Sequence, residues 1–138
     1  MKSAGYSGTP LAKKLGIREN SSIAVIHSPV PYAELFDDFP ENVQISSNSR
    51  SPKELIHYFV TNSRQLVKDM YDLKKVINQD GCIWISWPKK SSKVPTDINE
   101  DIIRNIAIQN GLVDIKVCAV NETWSGLKLV IPVKDRKK

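Results

Sequence analysis

Few residues in this 138-residue chain combine the type and spacing needed for chemistry. His27 opens the stretch His27-Ser28-Pro29-Val30-Pro31-Tyr32, where an imidazole could act as a general acid or base or serve as a hydrogen-bonded structural group. The segment Trp87-Pro88-Lys89-Lys90-Ser91-Ser92-Lys93 sets ammonium groups beside hydroxyls and an indole. Lysines hold phosphate as point charges, hydroxyls add hydrogen bonds, and an indole can stack a base. The competing reading packs Trp87 against a helix and leaves the lysines solvated. In Glu122-Thr123-Trp124-Ser125-Gly126, Trp124 is either an exposed anchor for a partner or a cover for the edge of the core. Tyr6 precedes Ser7-Gly8-Thr9-Pro10, which begins like a capped helix.

No catalytic residues are assigned. The chain has no GxSxG nucleophile elbow and no GxGxxG turn, and neither His27 nor His57 has a sequence neighbour that specifies a triad. Cys82 and Cys118 are too far apart for a CxxC pattern and read as structural thiols. Two cysteines and two histidines supply too few ligands for a metal site, so no metal or cofactor is expected.

The elements that must position these residues alternate. Pro10 to Gly16 reads as a short helix and Ser22 to His27 as a first strand. A short helix over Tyr32–Asp38 follows, then strands at Val43–Ser47 and Leu55–Thr61. Leu66, Met70, Leu73 and Ile77, widened by Val67 and Val76, recur at helical spacing, with Asn62 or Ser63 as the cap. A fourth strand covers Cys82–Trp87. Asp97 and Glu100 stand in capping-box spacing before a helix striped by Ile98, Ile102, Ile103 and Ile106, which stops at Asn110-Gly111. Val113–Val120 and Leu127–Val133 are joined so briefly that they must pair antiparallel. The fold class is therefore α/β: a three-layer, mostly parallel Rossmann-like sheet with an antiparallel C-terminal β-hairpin added at its edge. The chain reads as one domain, with an N-terminal helical segment (1–21), a core (22–133) and a basic tail (134–138). Ligands of such sheets sit beyond the carboxyl ends of the parallel strands, here His27 and Ser28, Thr61 and Asn62, and Trp87 to Lys90.

This order of elements resembles the class I methyltransferase variant of the Rossmann fold over residues 22 to 133. Two departures stand out. The glycine-rich turn after the family's first strand is replaced by His27-Ser28-Pro29-Val30-Pro31-Tyr32, and Ser46-Ser47-Asn48-Ser49 offers no carboxylate for a ribose. One βα unit is also missing, which points to a trimmed, non-methylating relative. A second resemblance rests on Tyr6 to Gly16, on Trp87-Pro88-Lys89-Lys90, and on Gly111-Leu112-Val113-Asp114 through Glu122-Thr123-Trp124-Ser125-Gly126-Leu127-Lys128. Together these are similar to the bacterial family known as domain of unknown function 3052, which implies no activity.

Composition is that of a globular protein: 41% hydrophobic, 25% charged, net charge +5. No apolar run is long enough to cross a bilayer and no secretory signal opens the chain, so a cytoplasmic location is expected. The leading functional expectation is a non-catalytic binding or regulatory domain that engages a protein partner or a small anionic ligand. Its candidate ligand residues are His27, Ser28, Asn62, Trp87, Lys89, Lys90 and Ser91, and its candidate partner residues are Tyr6, Glu122 and Trp124. The alternative is an atypical enzyme that binds a nucleotide or S-adenosyl compound and needs His27, Lys89 and Lys90 in one pocket. Nucleic-acid binding through the lysines ranks last, because no helix-turn-helix or RNP signature is present.

Overall fold

Residues with branched and aromatic side chains on both faces of a strand need cover on both faces, and this requirement organises the molecule. The computed structural model describes residues 10–47 and 52–137. Its elements are α1 (Leu11–Leu15), β1 (Ser22–Ile26), β2 (Gln44–Ser46), β3 (Lys53–Phe59), α2 (Ser63–Val76), β4 (Ile77–Pro88), α3 (Glu100–Gln109), β5 (Val113–Ala119) and β6 (Trp124–Val130). They build one six-stranded sheet in the order β2-β1-β3-β4-β6-β5. The pairs β1–β2, β1–β3 and β3–β4 are parallel, while β6 is antiparallel to both β4 and β5. The hairpin therefore does not simply add a reversed edge. The reversed strand lies inside the sheet, and the edge strand β5 again runs parallel to the first four.

Strand alternation distributes the core. Ile56 and Tyr58 of β3 and Val60 just beyond its end, with Ile83, Ile85 and Trp87 of β4, face Leu66, Met70 and Leu73 of α2 and Ile103, Ile106 and Ala107 of α3. Leu55 and Phe59, with Cys82 and Trp84, face the other way, against Leu11 and Leu15 of α1 and Tyr32, Leu35 and Phe36. Each fully buried large side chain contributes about 1.5–3 kcal/mol by leaving water. α1 has only five residues and is held by tertiary bonds: the Trp84 indole N–H donates to the Leu15 carbonyl at 2.8 Å. Gly16 closes α1 at φ 88°, a left-handed turn that favours glycine.

Several boundaries differ from the sequence reading, each for a local reason. The short helix after β1 is only a 3₁₀ turn, Tyr32–Leu35, because Phe36 returns to extended backbone. Ile77 starts β4 rather than ending the α2 stripe, and it pairs with Lys53 before a register shift. Val67 does not widen the stripe but is solvent-exposed. β6 begins at Trp124, opposite Pro88, so the hairpin connection is shorter than expected. The cap of α3 is Asn99, whose side chain accepts from the Ile102 N–H. Asp97 instead turns to α2, so Asp97 and Glu100 form no capping box. Tyr6 lies outside the described residues.

Gly81 shows how tightly β3 and β4 are joined. A Cβ at that position would stand 2.7 Å from the Glu54 carbonyl oxygen and 3.0 Å from Ile77 Cγ1. The oxygen belongs to the neighbouring backbone and cannot step aside cheaply. Gly81→Ala is expected to lower stability by about 1–3 kcal/mol, read as a lower urea midpoint at unchanged slope.

Candidate functional site

The chain leaves β1 toward β2 on one side and resumes with β3 on the other. Strand order thus reverses between β1 and β3, and a crevice forms at the carboxyl ends of those strands. A cavity of about 620 Å³ lies there. His27 lines it from the end of β1, Phe59 to Asn62 from the end of β3, Arg64, Gln65 and Lys68 from α2, and Trp124 from the start of β6.

The β1 turn is built without glycine. His27 adopts φ 61° in the left-handed region, which is uncommon for a residue with a Cβ. Its ring meets Tyr58 at 5.6 Å between centroids and stays exposed toward the cavity. The Ser28 hydroxyl donates to the Val30 carbonyl at 2.6 Å, within the turn itself. Pro29 and Pro31 have no N–H to offer a ligand.

What fixes this turn is a polar chain beneath it. Tyr32 Oη lies 2.7 Å from His57 Nδ1, and His57 Nε2 lies 2.7 Å from Ser86 Oγ. The chain crosses from the 3₁₀ turn over β3 to β4 with His57 and Ser86 fully buried. Burial pushes the His57 imidazole down to about 3 and drives the Tyr32 hydroxyl well above the usual tyrosine range. Phe59 stacks on His57 at 4.2 Å and meets Trp124 in a T-shaped contact at 5.4 Å, carrying the packing up to the cavity wall.

The start of α2 is already provided with acceptors. Asn62 accepts from the Gln65 N–H, and the Asp97 carboxylate accepts from both the N–H and the hydroxyl of Ser63, at 2.7 Å and 2.5 Å. The Ser63 hydroxyl, and then its N–H, hold the Asp97 carboxyl below the ordinary carboxylate range. The Thr96 hydroxyl donates to the Thr61 carbonyl at 2.6 Å, so residues 96 and 97 are tied to the end of β3. Arg64 and Lys68, exposed and one turn apart, supply the positive charge of the cavity.

Of the residues expected from sequence to bind a ligand, His27 and Asn62 meet here. Trp124, expected to face a partner, joins them. Ser28, Trp87, Lys89, Lys90 and Ser91 are not among the lining residues. Trp87 is buried against the helix side of the core. The Lys89 N–H donates to the Thr123 carbonyl at 2.7 Å, which turns the chain toward the hairpin, and Lys90 and Ser91 lie exposed on a 3₁₀ turn. His27 lines this cavity, and Lys89 and Lys90 do not. Trp124 packs on Phe59 and is not a hairpin tip, while Glu122 stays exposed in the connection. Arg64 and Lys68 went unnoticed in the sequence, although their four-residue spacing just after a strand end was a usable signal. Among the described residues, no group of three or more His, Cys, Asp or Glu could hold a metal. Among them, too, no helix is long and apolar enough to cross a membrane.

The class I methyltransferase cofactor, S-adenosylmethionine, does not fit these residues. His27 brings a side chain to the turn after β1 where the cofactor-binding version has glycine, two prolines withhold N–H donors, and neither Ser46 at the end of β2 nor Ser47 after it carries a carboxylate.

Residues 49–133 match the family described as "Protein of unknown function (DUF3052)". This span includes the cavity residues from Phe59 to Lys68 and Trp124, but neither His27 nor the Tyr6 to Gly16 stretch. No curated protein matches the sequence. The fold is similar to that of a SAM-dependent methyltransferase from Aquifex aeolicus, with 15% identity and TM-score 0.64 over 88% of this chain and 87% of that one. It is also similar to a ribosomal protein L11 methylase from Lactobacillus delbrueckii subsp. bulgaricus, with 10% identity and TM-score 0.57 over 93% and 76%. A third likeness is to the fibrillarin pre-rRNA processing protein of Methanococcus jannaschii, with 12% identity and TM-score 0.55 over 93% and 71%. At these identities the likeness is one of fold.

The buried imidazole gives a pH signature. Its folded-state value is below its ordinary 6.5, so the unfolded chain takes up a proton that the folded chain refuses. Its contribution is complete above pH 6.5 and is lost as pH falls toward 3. His57→Gln keeps an amide donor and acceptor but cannot titrate. Urea titrations across this window are expected to show wild-type stability falling more steeply than the variant's, by up to about 1.4 kcal/mol per pH unit. Parallel slopes would remove His57 from the acid response.

Proposed function

The chain belongs to the family described as Protein of unknown function (DUF3052), and on that footing we propose that it is a non-catalytic binding domain that takes a small anionic ligand in the cavity between β1 and β3. The observation that carries this reading is the pairing of Arg64 and Lys68 on one wall of a cavity at the point where strand order reverses. Among the described residues neither makes an ion pair within 4.0 Å, and the charge of Arg64 is felt at Asp97. A guanidinium and an ammonium group facing a partly apolar cavity favour an anion. For the catalytic alternative, no hydrogen bond between a nucleophile and a base is seen among the described residues that line the cavity. His57 and Ser86 are hydrogen-bonded to each other but lie under Phe59 and are closed to substrate.

The relatives of this fold named as methyltransferases share its sheet. What supports a non-methylating reading is the β1 turn and the end of β2. A protein partner anchored by Trp124 is less well supported, because that indole is half-buried against Phe59 at the start of β6 and does not project from a hairpin tip.

Two measurements test the proposal. Calorimetric titration of S-adenosylmethionine is expected to show no heat of binding, and a dissociation constant in the micromolar range would overturn the non-methylating reading. Pyrophosphate is expected to raise the thermal midpoint, since a ligand at a hundredfold excess over its Kd adds about 2.7 kcal/mol of stability. Arg64→Gln combined with Lys68→Gln should abolish that shift without changing the midpoint of the free protein. A shift that survives the double substitution would place the anion elsewhere.

A further inference from the structure

We infer that the ligand of this cavity is a nucleoside diphosphate, its base against Trp124 and its phosphates on Arg64 and Lys68. This deepens the anion-binding reading and rests on it. An inorganic anion would occupy a small part of a cavity of about 620 Å³, and one wall of that cavity is aromatic. Trp124 is half-buried, and its ring meets that of Phe59 in a T-shaped contact at an interplanar angle of 81°. Phe59 is itself fully buried and stacked on His57, so the indole is held in place before any ligand arrives. A fixed indole offers a planar base a stacking surface that is tolerant of base identity.

The charged wall fits more than one anionic group. Arg64 and Lys68 are four residues apart on α2, so their Cβ atoms lie roughly 6 Å from each other on one helix face. A single carboxylate engages one such group well, whereas a diphosphate can engage both. The N–H groups of Ser63 and Gln65 are already taken by Asp97 and Asn62, which disfavours the end of the helix as the seat of the phosphates. The two side chains must carry the attraction, and it should weaken with salt. Thr61, Asn62 and Gln65 also line the cavity with polar atoms. The Asn62 oxygen is engaged by the Gln65 N–H, and its amide remains as a donor.

The test is calorimetric titration of the full chain with ADP, GDP, adenosine and pyrophosphate, in buffer of fixed ionic strength and without added metal. At least one of the two nucleotides is expected to bind tenfold or more tightly than either pyrophosphate or adenosine. Trp124→Leu should bring nucleotide affinity down to that of pyrophosphate and leave pyrophosphate binding unchanged. Arg64→Gln with Lys68→Gln should lower nucleotide affinity at least tenfold and leave adenosine binding unchanged. Trp124→Phe, which keeps an aromatic face, should retain most of the nucleotide affinity and shows whether a loss in the leucine variant comes from misfolding. Pyrophosphate binding as tightly as both nucleotides would overturn the inference and leave the anion reading standing. No binding by any of the four would overturn both. A single-stranded homo-oligonucleotide that binds a hundredfold more tightly than ADP would overturn it in favour of nucleic acid.

Discussion

A fully buried imidazole must be satisfied at both ring nitrogens, and His57 meets that condition by joining Tyr32 to Ser86. A neutral ring donates through one nitrogen and accepts through the other, so the chain is polarised either from Tyr32 to Ser86 or in reverse. In both cases it ties three elements together: the turn after β1, the middle of β3 and the end of β4. The packing above depends on it, since Phe59 lies on the ring and Trp124 lies on Phe59. Removal of the imidazole would leave two buried hydroxyls without their partner, at a cost of about 1–3 kcal/mol each. It would also loosen the packing of Trp124 against Phe59 at the carboxyl end of β3.

The same anchoring explains how a Rossmann-like sheet can dispense with a glycine turn. In the dinucleotide-binding version, glycine lets the backbone come close to the cofactor, and the turn is held by the ligand and by the helix that follows. Here only a 3₁₀ turn follows β1, and it is pinned from below through Tyr32. Two prolines stiffen the path, and His27 takes the left-handed conformation that such a sharp exit requires. The geometry of the switch point survives while its donor chemistry is replaced. Positive charge comes instead from the side of α2.

Much of this was legible in the sequence, where physics acts locally. The apolar runs at Ile23 to Ile26 and Leu55 to Val60 marked the central strands, and Leu66, Met70 and Leu73 marked the buried face of α2. The short connection after Val120 forced an antiparallel pair. The absence of a glycine turn could be read directly from His27 to Pro31. The illegible parts depend on contacts between distant residues. Asp97 sits in capping-box spacing with Glu100, yet Ser63, on another helix, offers it two donors. Lys89 is close in sequence to a strand end but is drawn toward Thr123, two elements later. Trp124 looked equally suited to a hairpin tip and a core edge, and the register of β6 against Pro88 decided between them.

Asp97 also sets the character of the cavity. A helix N-terminus at a switch point is an attractive place for a phosphate, because free N–H groups and the helix dipole both favour negative charge. In this chain a carboxylate of its own holds that position on Ser63, and the charge of Arg64 helps keep it ionised. An incoming anion would have to displace Asp97 and bear the repulsion of a second negative group beside it. The favourable ground for an anion therefore shifts outward along α2, to Arg64 and Lys68, and away from the backbone. A ligand held by long exposed side chains gains less per contact than one cradled by backbone donors, since those side chains must be ordered as it binds. Selectivity in such a site has to come from the part of the cavity that is already rigid, and that part is the aromatic wall resting on His57.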